Sequence, residues 1–388
     1  MHAKPASAAD IMPDWSAIAA VILGVTAFSV AQGVTYPLIS LTLEARGVSP
    51  ALIGVNAVAF ALGLGAATLM LGTLTRRVRA DRLIIAGLVG CSLCLAALAA
   101  TSSLILWFAA RFLLGFCASI IFMLSEAWLN AACPDRLRGR ISGVYGASIC
   151  AGFAVGPLAI PLFGTDGGFG FALTAVYLAL VAFTTAVLLF STRTAPEPSS
   201  TGDVFRFFRH APLLVAMVFA FGFADIAAIS AMPVYFVKTG HTEAFAALSV
   251  TVLALPTALA QPFIGIALDR LPRHRVAVGA ATIATVSYLA IPFIDQPGLI
   301  LAVFALMGSA CFALYTCALT MLGERYTGGM LVAGSAAYSL AYAVGSGAGS
   351  SATGAIMEWG GPAAGPLSVG MALAVFTALF ALSGRRRG

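Results

Sequence analysis

Long apolar runs separated by short polar segments cover most of the chain. A membrane-spanning helix needs about 20 mostly apolar residues, and each run is long enough for one such helix. The runs are continuous, whereas the strands of a membrane barrel alternate between apolar and polar positions. The pattern therefore predicts an all-α polytopic membrane protein with twelve transmembrane helices. The predicted spans lie at about 15–43, 51–74, 83–101, 104–132, 140–163, 168–191, 212–238, 245–268, 275–293, 298–322, 330–356 and 363–384.

Composition agrees with this pattern. Of the 388 residues, 60% are hydrophobic and only 9% are charged, and the mean hydropathy is +0.99. Soluble domains carry about 25% charged residues, so a soluble enzyme, a nucleic-acid-binding domain and a disordered protein are excluded. The seven cysteines lie in or beside the apolar runs, which predicts no disulfide framework. The first apolar run is too long for the core of a cleavable signal peptide.

The basic residues give an orientation. Most of the 21 Lys and Arg residues fall in the amino terminus, every second loop and the carboxyl terminus. By the positive-inside rule, both termini are expected on the cytoplasmic side of the bacterial inner membrane. The net charge of +6 is thereby explained as a topology signal, and we expect a lipid bilayer and no nucleic acid among the partners.

One connection differs from the others. Segment 192–211 begins with Pro, Glu and Ser and continues with Phe and Arg. Its first part is typical of a flexible linker, and its second part is expected to lie flat on the inner leaflet. The chain is therefore predicted to divide into an N-terminal six-helix bundle (1–191), a cytoplasmic linker (192–211) and a C-terminal six-helix bundle (212–388).

An offset of 193 residues relates the two predicted bundles. Shared membrane composition could produce some of the matches, but they recur at one offset in separate spans and loops. We interpret them as a duplicated six-helix unit whose parallel halves enclose a site at mid-membrane. The most specific matches pair Gly72, Arg77 and Arg82 with Gly265, Arg270 and Arg275, and Tyr145, Gly152 and Gly156 with Tyr338, Gly345 and Gly349.

The motifs at these positions resemble those of a transporter family. The loop after span 2 contains Gly72, Arg76 and Arg77, and the loop after span 8 contains Gly265, Asp269 and Arg270. Together with Arg111 and Gly115 in span 4 and Gly152, Gly156 and Pro157 in span 5, they make the chain similar to a twelve-helix major facilitator superfamily (MFS) transporter over essentially its whole length. Residues 125–130 resemble the YcaD-like bacterial branch of that superfamily.

The resemblance implies a cytoplasmic gate. In the superfamily, each loop motif approaches the start of a span in the other half, where a carboxylate complements the helix dipole. Asp269 is expected to meet the start of span 5 near Arg140, whereas Arg76 stands where the family usually has an acidic residue. The gate should therefore be asymmetric. Its predicted residues are Gly72, Arg76, Arg77, Gly265, Asp269, Arg270 and Arg140.

Three ionisable residues fall well inside predicted spans: Arg111, Glu126 and Asp225. Such groups normally face the protein interior or a water-filled cavity. Asp225 is near the middle of span 7, and its counterpart in span 1 is Gln32. The resemblance implies that both line a central cavity, where Asp225 could carry a proton. The alternative is a purely structural carboxyl group that holds helices together.

Arg111 and Glu126 share span 4 but are about 22 Å apart at about 1.5 Å per residue, so they cannot pair directly. Arg111 is expected either to bind an anionic group or modulate coupling, or to extend towards the outer headgroups. Glu126 is expected either to take part in transport or to form an ion pair with Arg138 or Arg140. Asp225, Arg111 and Glu126 are thus the candidate coupling residues.

Polar and aromatic residues at similar depth complete the candidate substrate cavity. Ordinary helix packing is the alternative for each of them. The cavity candidates are Gln32, Tyr36, Tyr145, Asp225, Gln261, Tyr338 and Tyr342.

We interpret the chain as a secondary active transporter that moves a small solute by alternating access, coupled to protons and working as a monomer. No catalytic residues, cofactor or metal site are expected. A non-transporting membrane sensor or intramembrane enzyme is the alternative class, and copper import is an alternative within transport. Substrate identity and the direction of transport stay open.

Overall fold

The computed structural model describes residues 14–132, 135–165, 168–189, 204–326 and 328–385. These residues form twelve long helical spans, with no β-strand among them. Eleven are long and apolar enough to cross a membrane, and span 11 is richer in glycine and serine. Spans 1 to 6 are Trp15–Ala45, Pro50–Arg77, Ala80–Ala100, Leu104–Ala132, Asp135–Val155 with Gly156–Ala159 and Ile160–Phe163, and Phe169–Leu189. Spans 7 to 12 are Pro212–Ile226 with Ala227–Ala231 and Met232–Lys238, Glu243–Arg270, Arg273–Ala290 with Ile291–Phe293, Pro297–Arg325, Gly328–Gly360, and Ala364–Arg385.

The same local chemistry starts several spans. The side chains of Asp14, Ser49 and Thr242 each accept a hydrogen bond from a backbone N–H in the first turn of the following helix. These caps satisfy donors that have no partner within a helix. The predicted and observed starts of spans 1, 2 and 8 therefore agree closely.

Span 7 is interrupted in its middle. Ala227–Ala231 form a π-helical turn immediately after Asp225. Pro233 follows this turn, and its ring cannot donate a hydrogen bond to the preceding turn of an α-helix. A wider turn accommodates that loss, and π-turns often lie at functional sites. The backbone is thus irregular next to Asp225, whose carboxyl group lies near the middle of the span.

The 193-residue repeat also appears in the packing of helix backbones. At three pairs of glycines, a side chain would collide with a carbonyl oxygen of a neighbouring span, and the partner carbonyls are related by the same offset. Small residues at these places let the helices approach closely. The equivalent contacts are Gly115 to Phe60 and Gly308 to Leu253, Gly152 to Thr26 and Gly345 to Phe219, and Gly156 to Val30 and Gly349 to Phe223.

The described part of the linker is a short helix, Val204–His210. Val204 and Phe207 are buried, and the Phe207 ring lies edge-on to Tyr326 at 5.1 Å and to Tyr338 at 6.2 Å. The helix is therefore packed into the C-terminal bundle through these side chains and does not simply lie on the leaflet as expected. Residues 192–203 of the predicted linker lie outside the described residues.

Polar contacts join the two halves at one end of the molecule. Glu44 at the end of span 1 forms an ion pair with Lys238 at the end of span 7, with 2.8 Å between Oε1 and Nζ. The hydroxyl of Thr165 donates to Glu243 at 3.0 Å. The hydroxyls of Ser40 and Ser230 are 3.1 Å apart. These contacts close the end that the basic-residue pattern predicts to be outside.

The opposite end lacks such bridges in the described part of the chain. There, Arg79 pairs with Asp81 within the first half, and Arg273 pairs with Glu324 within the second. Among the described residues, the ion pair and side-chain hydrogen bonds that join the halves therefore lie at the first of these two ends.

Candidate functional site

A central cavity of about 380 Å³ lies between the two halves. Nine of the residues that line it are aromatic and two, Glu126 and Asp225, carry carboxyl groups. Its lining contains no Lys, Arg or His within the described ranges. Sites for small molecules are typically concave, mostly apolar and furnished with a few polar groups, which is the composition found here.

The walls of the cavity follow the internal repeat. Seven pairs of lining residues are related by the 193-residue offset, so the same helix faces of both halves form the two walls. We call the lining residues of spans 1 to 6 the N-terminal wall and those of spans 7 to 12 the C-terminal wall. The pairs are Gln32 and Asp225, Tyr36 and Ile229, Phe60 and Leu253, Leu64 and Thr257, Ser119 and Phe312, Phe122 and Tyr315, and Ile149 and Tyr342.

Asp225 supplies the carboxyl group of the C-terminal wall. The Tyr342 hydroxyl of span 11 donates a hydrogen bond to Asp225 Oδ2 at 2.9 Å. The equivalent positions in the N-terminal wall are Gln32 and Ile149, and an isoleucine side chain has no hydrogen-bond donor. The two walls therefore share a backbone frame but differ in charge and in hydrogen bonding.

Most of the predicted cavity residues are brought together. Gln32, Tyr36, Asp225, Tyr338 and Tyr342 all line the cavity. Their transport roles stay predictions.

Tyr145 and Gln261 are not among the residues that line the cavity. The Gln261 side-chain oxygen accepts a hydrogen bond from Thr316 at 2.8 Å, which directs it to the contact between spans 8 and 10. Tyr145 is half-buried and packs against the apolar core.

Arg111 lies behind the N-terminal wall. It is only 1% exposed, so the expectation that its side chain extends to the outer headgroups was wrong. Its guanidinium carbon lies 4.9 Å from the ring centroid of Tyr36 and 5.1 Å from that of Phe60. Both contacts have cation–π geometry. Nε and Nη1 have no hydrogen-bond partner in the described part of the chain, so the rings are the close neighbours that compensate its charge.

Glu126 lines the cavity from span 4. The side chains of Arg138 and Arg140, its proposed ion-pair partners, lie outside the described residues. The choice between a transport role and that pairing stays a prediction.

The predicted gate residues lie at the end where no bridges between the halves are described. Gly72 is buried and Gly265 is partly buried, while Arg77 and Arg270 are exposed. Arg76 is also exposed, and its guanidinium donates a hydrogen bond to Thr73 of its own span at 3.4 Å. The side chains of Asp269 and Arg140 lie outside the described residues, so the predicted gate contact stays a prediction.

Sequence reasoning missed two groups of residues. The first is the ring cluster formed by Phe221, Phe312 and Tyr315 with Tyr342; the offset that pairs Phe122 with Tyr315 could have located Tyr315. The second is the ion pair of Glu44 and Lys238. The signal for that pair was available, because opposite charges stand at the ends of the equivalent spans 1 and 7.

No group of three or more His, Cys, Asp or Glu residues is placed to hold a metal ion within the described residues. What the site presents is a binding chamber between two related halves.

Two six-span halves around a central chamber, bridged at one end, define the class of an integral membrane transporter. The family model of the Major Facilitator Superfamily matches residues 21–249 and 214–387, so the chain belongs to that superfamily and is not an enzyme. An uncharacterized MFS-type transporter, YfkF, of Bacillus subtilis strain 168 is 24% identical over 335 residues and 85% of each chain.

Solved structures share the fold. The crystal structure of the nucleoside transporter NupG matches with a TM-score of 0.74 at 12% identity, covering 95% of this chain and 98% of that one. A bacterial homolog of the human lysosomal transporter Spinster, inward-facing and unoccupied, matches with a TM-score of 0.74 at 16% identity, covering 98% and 96%. Assignment to the YcaD-like branch stays a prediction.

Proposed function

We propose that the protein is a proton-coupled secondary active transporter that works as a monomer by alternating access, with both termini in the cytoplasm. One chain supplies both walls of the cavity, so a single copy is sufficient for transport. The arrangement of bridges supports an inward-open state, in which the outer end is closed and the cavity communicates with the cytoplasmic end. The coupling ion is a proton, bound at Asp225.

The placement of Asp225 carries this proposal. It is a carboxyl group near the middle of span 7, exposed to the cavity and accepting a hydrogen bond from Tyr342 of span 11. The π-turn at Ala227–Ala231 follows it directly. A change in the charge of Asp225 can therefore act both on the contact between spans 7 and 11 and on an irregular stretch of span 7.

Alternating access requires the outer bridges to open. The ion pair of Glu44 and Lys238 is partly exposed, so it is expected to contribute at most about 1 kcal/mol. The hydrogen bond at Ser40 contributes about 0.5–1.5 kcal/mol, and the bond from Thr165 to the Glu243 carboxylate contributes up to about 3 kcal/mol. Together these polar contacts favour the closed outer end by a few kcal/mol, which is comparable with a coupling energy of about 1–3 kcal/mol.

The test measures the outer opening without any solute. Spin labels replace Leu52 at the start of span 2 and Trp359 at the end of span 11, which are 45% and 88% exposed. The background lacks native cysteines, and the protein is held in lipid nanodiscs. We expect the distribution of the distance between the labels to change between mildly acid and mildly alkaline pH.

Asp225→Asn is expected to abolish this pH dependence, because an amide cannot exchange the proton. Glu126→Gln is the matched control, since it removes the other carboxyl group of the cavity; it should retain the response. The proposal is contradicted if the distance between the labels in the wild type does not change with pH, or if Asp225→Asn shows the same pH dependence as the wild type.

A further inference from the structure

The chemistry of the cavity lining selects for one sign of charge. Glu126 and Asp225 both face the cavity, and no Lys, Arg or His of the described residues shares the lining with them. Neither carboxylate forms an ion pair with a described basic side chain. An unpaired carboxylate in a largely apolar chamber is costly unless a proton or another cation binds to it.

A cluster of aromatic rings lies beside Asp225 and contacts it through Tyr342. Phe221 stacks on Tyr315 at 5.3 Å between ring centroids and lies 5.5 Å from Tyr342, the residue that donates to Asp225. Phe312 meets Phe221 edge-on at 5.5 Å and Tyr315 at 5.8 Å. All four rings line the cavity. Clusters of this kind bind organic cations through the negative faces of the rings.

In the N-terminal wall, aromatic rings already contact a cation of the protein itself, the guanidinium of Arg111. Tyr36 and Phe60 also line the cavity, but Arg111 already lies over both rings from behind. The ring cluster of the C-terminal wall has no such guanidinium or ammonium partner in the described part of the chain. One aromatic group thus contacts an internal cation, whereas the described residues place no basic side chain over the other group, which lies beside Asp225.

We propose that the transported solute is a monovalent organic cation with an aromatic or apolar body. Its charge lies against Asp225 and Glu126, and its body packs among Phe221, Phe312 and Tyr315. The cavity of about 380 Å³ is within the range that accommodates a drug-sized ligand. This inference rests on the proposed transport function and specifies its substrate class.

Such a solute has a direct consequence for coupling. Asp225 cannot hold a proton and pair with an organic cation at the same oxygens, so binding of the cation displaces the proton to the surrounding water. Atoms and charge balance: a neutral carboxyl group and a cation become an ion pair and a released proton. A solute bound in this way is exchanged for protons.

The test compares two ions of the same shape and opposite sign. Purified full-length protein is titrated in a calorimeter with tetraphenylphosphonium and, separately, with tetraphenylborate; uridine serves as a neutral polar solute. We expect the cation to bind at least about tenfold more tightly than the anion, which corresponds to about 1.4 kcal/mol. Titrations in buffers of different ionisation enthalpy should report proton release with the cation.

Two variants locate the binding charge. Asp225→Asn and Glu126→Gln should each weaken cation binding about tenfold or more, and Asp225→Asn should also abolish proton release. Asp295→Asn makes the same chemical change at an exposed position outside the cavity and should have no effect.

Several outcomes would overturn the proposal. Preference for tetraphenylborate would make Arg111 the recognising charge, and binding of uridine alone would show a neutral site. Binding of neither ion up to about 1 mM, or cation binding unchanged in both cavity variants, would also refute it. The spin-label test uses no solute. A negative calorimetric result would therefore refute the substrate class without refuting proton-coupled transport, and a negative spin-label result would refute proton coupling independently of any solute.

Discussion

The two walls of the cavity have the same backbone and different chemistry. Seven pairs of lining residues match at one offset, and the close glycine contacts behind them match at the same offset. Yet the C-terminal wall presents Asp225 and Tyr342, where the N-terminal wall presents Gln32 and Ile149. The two halves thus share a packing frame, and individual substitutions decide which chemical groups stand at equivalent positions: the carboxyl group of the N-terminal wall is Glu126 of span 4, and that of the C-terminal wall is Asp225 of span 7.

The aromatic rings of the two walls also differ in their contacts with basic side chains. In the N-terminal half a buried guanidinium is fixed against Tyr36 and Phe60. In the C-terminal half the ring cluster faces the cavity without such a partner among the described residues. A repeat in packing therefore does not require a repeat in chemistry: the aromatic rings Tyr36 and Phe60 of the N-terminal wall contact an internal guanidinium, and we propose that the rings of the C-terminal wall contact the solute.

The largest expected loss of stability is at the close glycine contacts that both halves share. Gly156→Leu and Gly349→Leu would each force a side chain into the carbonyl of Val30 or Phe223. Because the added side chain would collide with backbone, we expect each to destabilise the protein by about 3 kcal/mol, the upper end of the usual overpacking cost, and to lower the yield of folded protein. Thermal unfolding of the detergent-purified variants measures the loss.

The same substitution in open space provides the control. A side chain added at Gly146 or Gly279 meets no atom within 4 Å, and replacing a helical glycine favours the helix by about 1 kcal/mol. If only one of the two glycines, Gly156 or Gly349, proved sensitive, the halves would not share a packing frame.

A smaller effect is expected where the walls differ. Tyr342→Phe removes the hydroxyl that donates to Asp225. Loss of this hydrogen bond costs about 0.5–1.5 kcal/mol when Asp225 is protonated and about 1.5–3 kcal/mol when it is ionised, so the unfolding temperature should fall, and the fall should be larger at mildly alkaline pH. Tyr315→Phe is the matched control, since no hydrogen bond of its hydroxyl is described. Equal losses in the two variants would remove the special role of Tyr342.

The smallest effect is expected at the outer bridge. Lys238→Gln breaks an ion pair that joins the halves, whereas Arg79→Gln breaks one within the first half. An exposed pair contributes up to about 1 kcal/mol, so Lys238→Gln should raise the outward-open population several-fold. The distance between labels at positions 52 and 359 reports this shift. An equal shift with Arg79→Gln would show that the pair at Glu44 does not act as a bridge.

Much of the fold followed from the sequence, for physical reasons. A bilayer requires long apolar helices, so composition and run length were sufficient to predict the spans. The 193-residue offset, read from a few glycines and arginines, pairs Gln32 with Asp225, and both residues line the cavity, one in each wall. Position along a repeat is a strong guide to depth in the membrane and to the face of a helix.

Side-chain partners could not be predicted in the same way. Arg111 was considered a possible headgroup contact because its depth was known but its neighbours Tyr36 and Phe60 on other helices were not. Gln261 was expected in the cavity because polarity alone does not reveal the partner Thr316 two spans later. Such contacts depend on helix rotation, which an almost uniformly apolar sequence does not specify.

An exchange of residues between the walls tests the central claim most directly. The double variant Gln32→Asp and Asp225→Gln moves the carboxylate of position 225 to the equivalent position 32, where Ile149 stands in place of Tyr342. The measurement is the pH dependence of the distance between spin labels at positions 52 and 359. We predict that the double variant loses the response of the wild type, as Asp225→Asn does, because the chemistry belongs to one wall. A double variant that responds to pH like the wild type would show that the walls are interchangeable and would contradict this account.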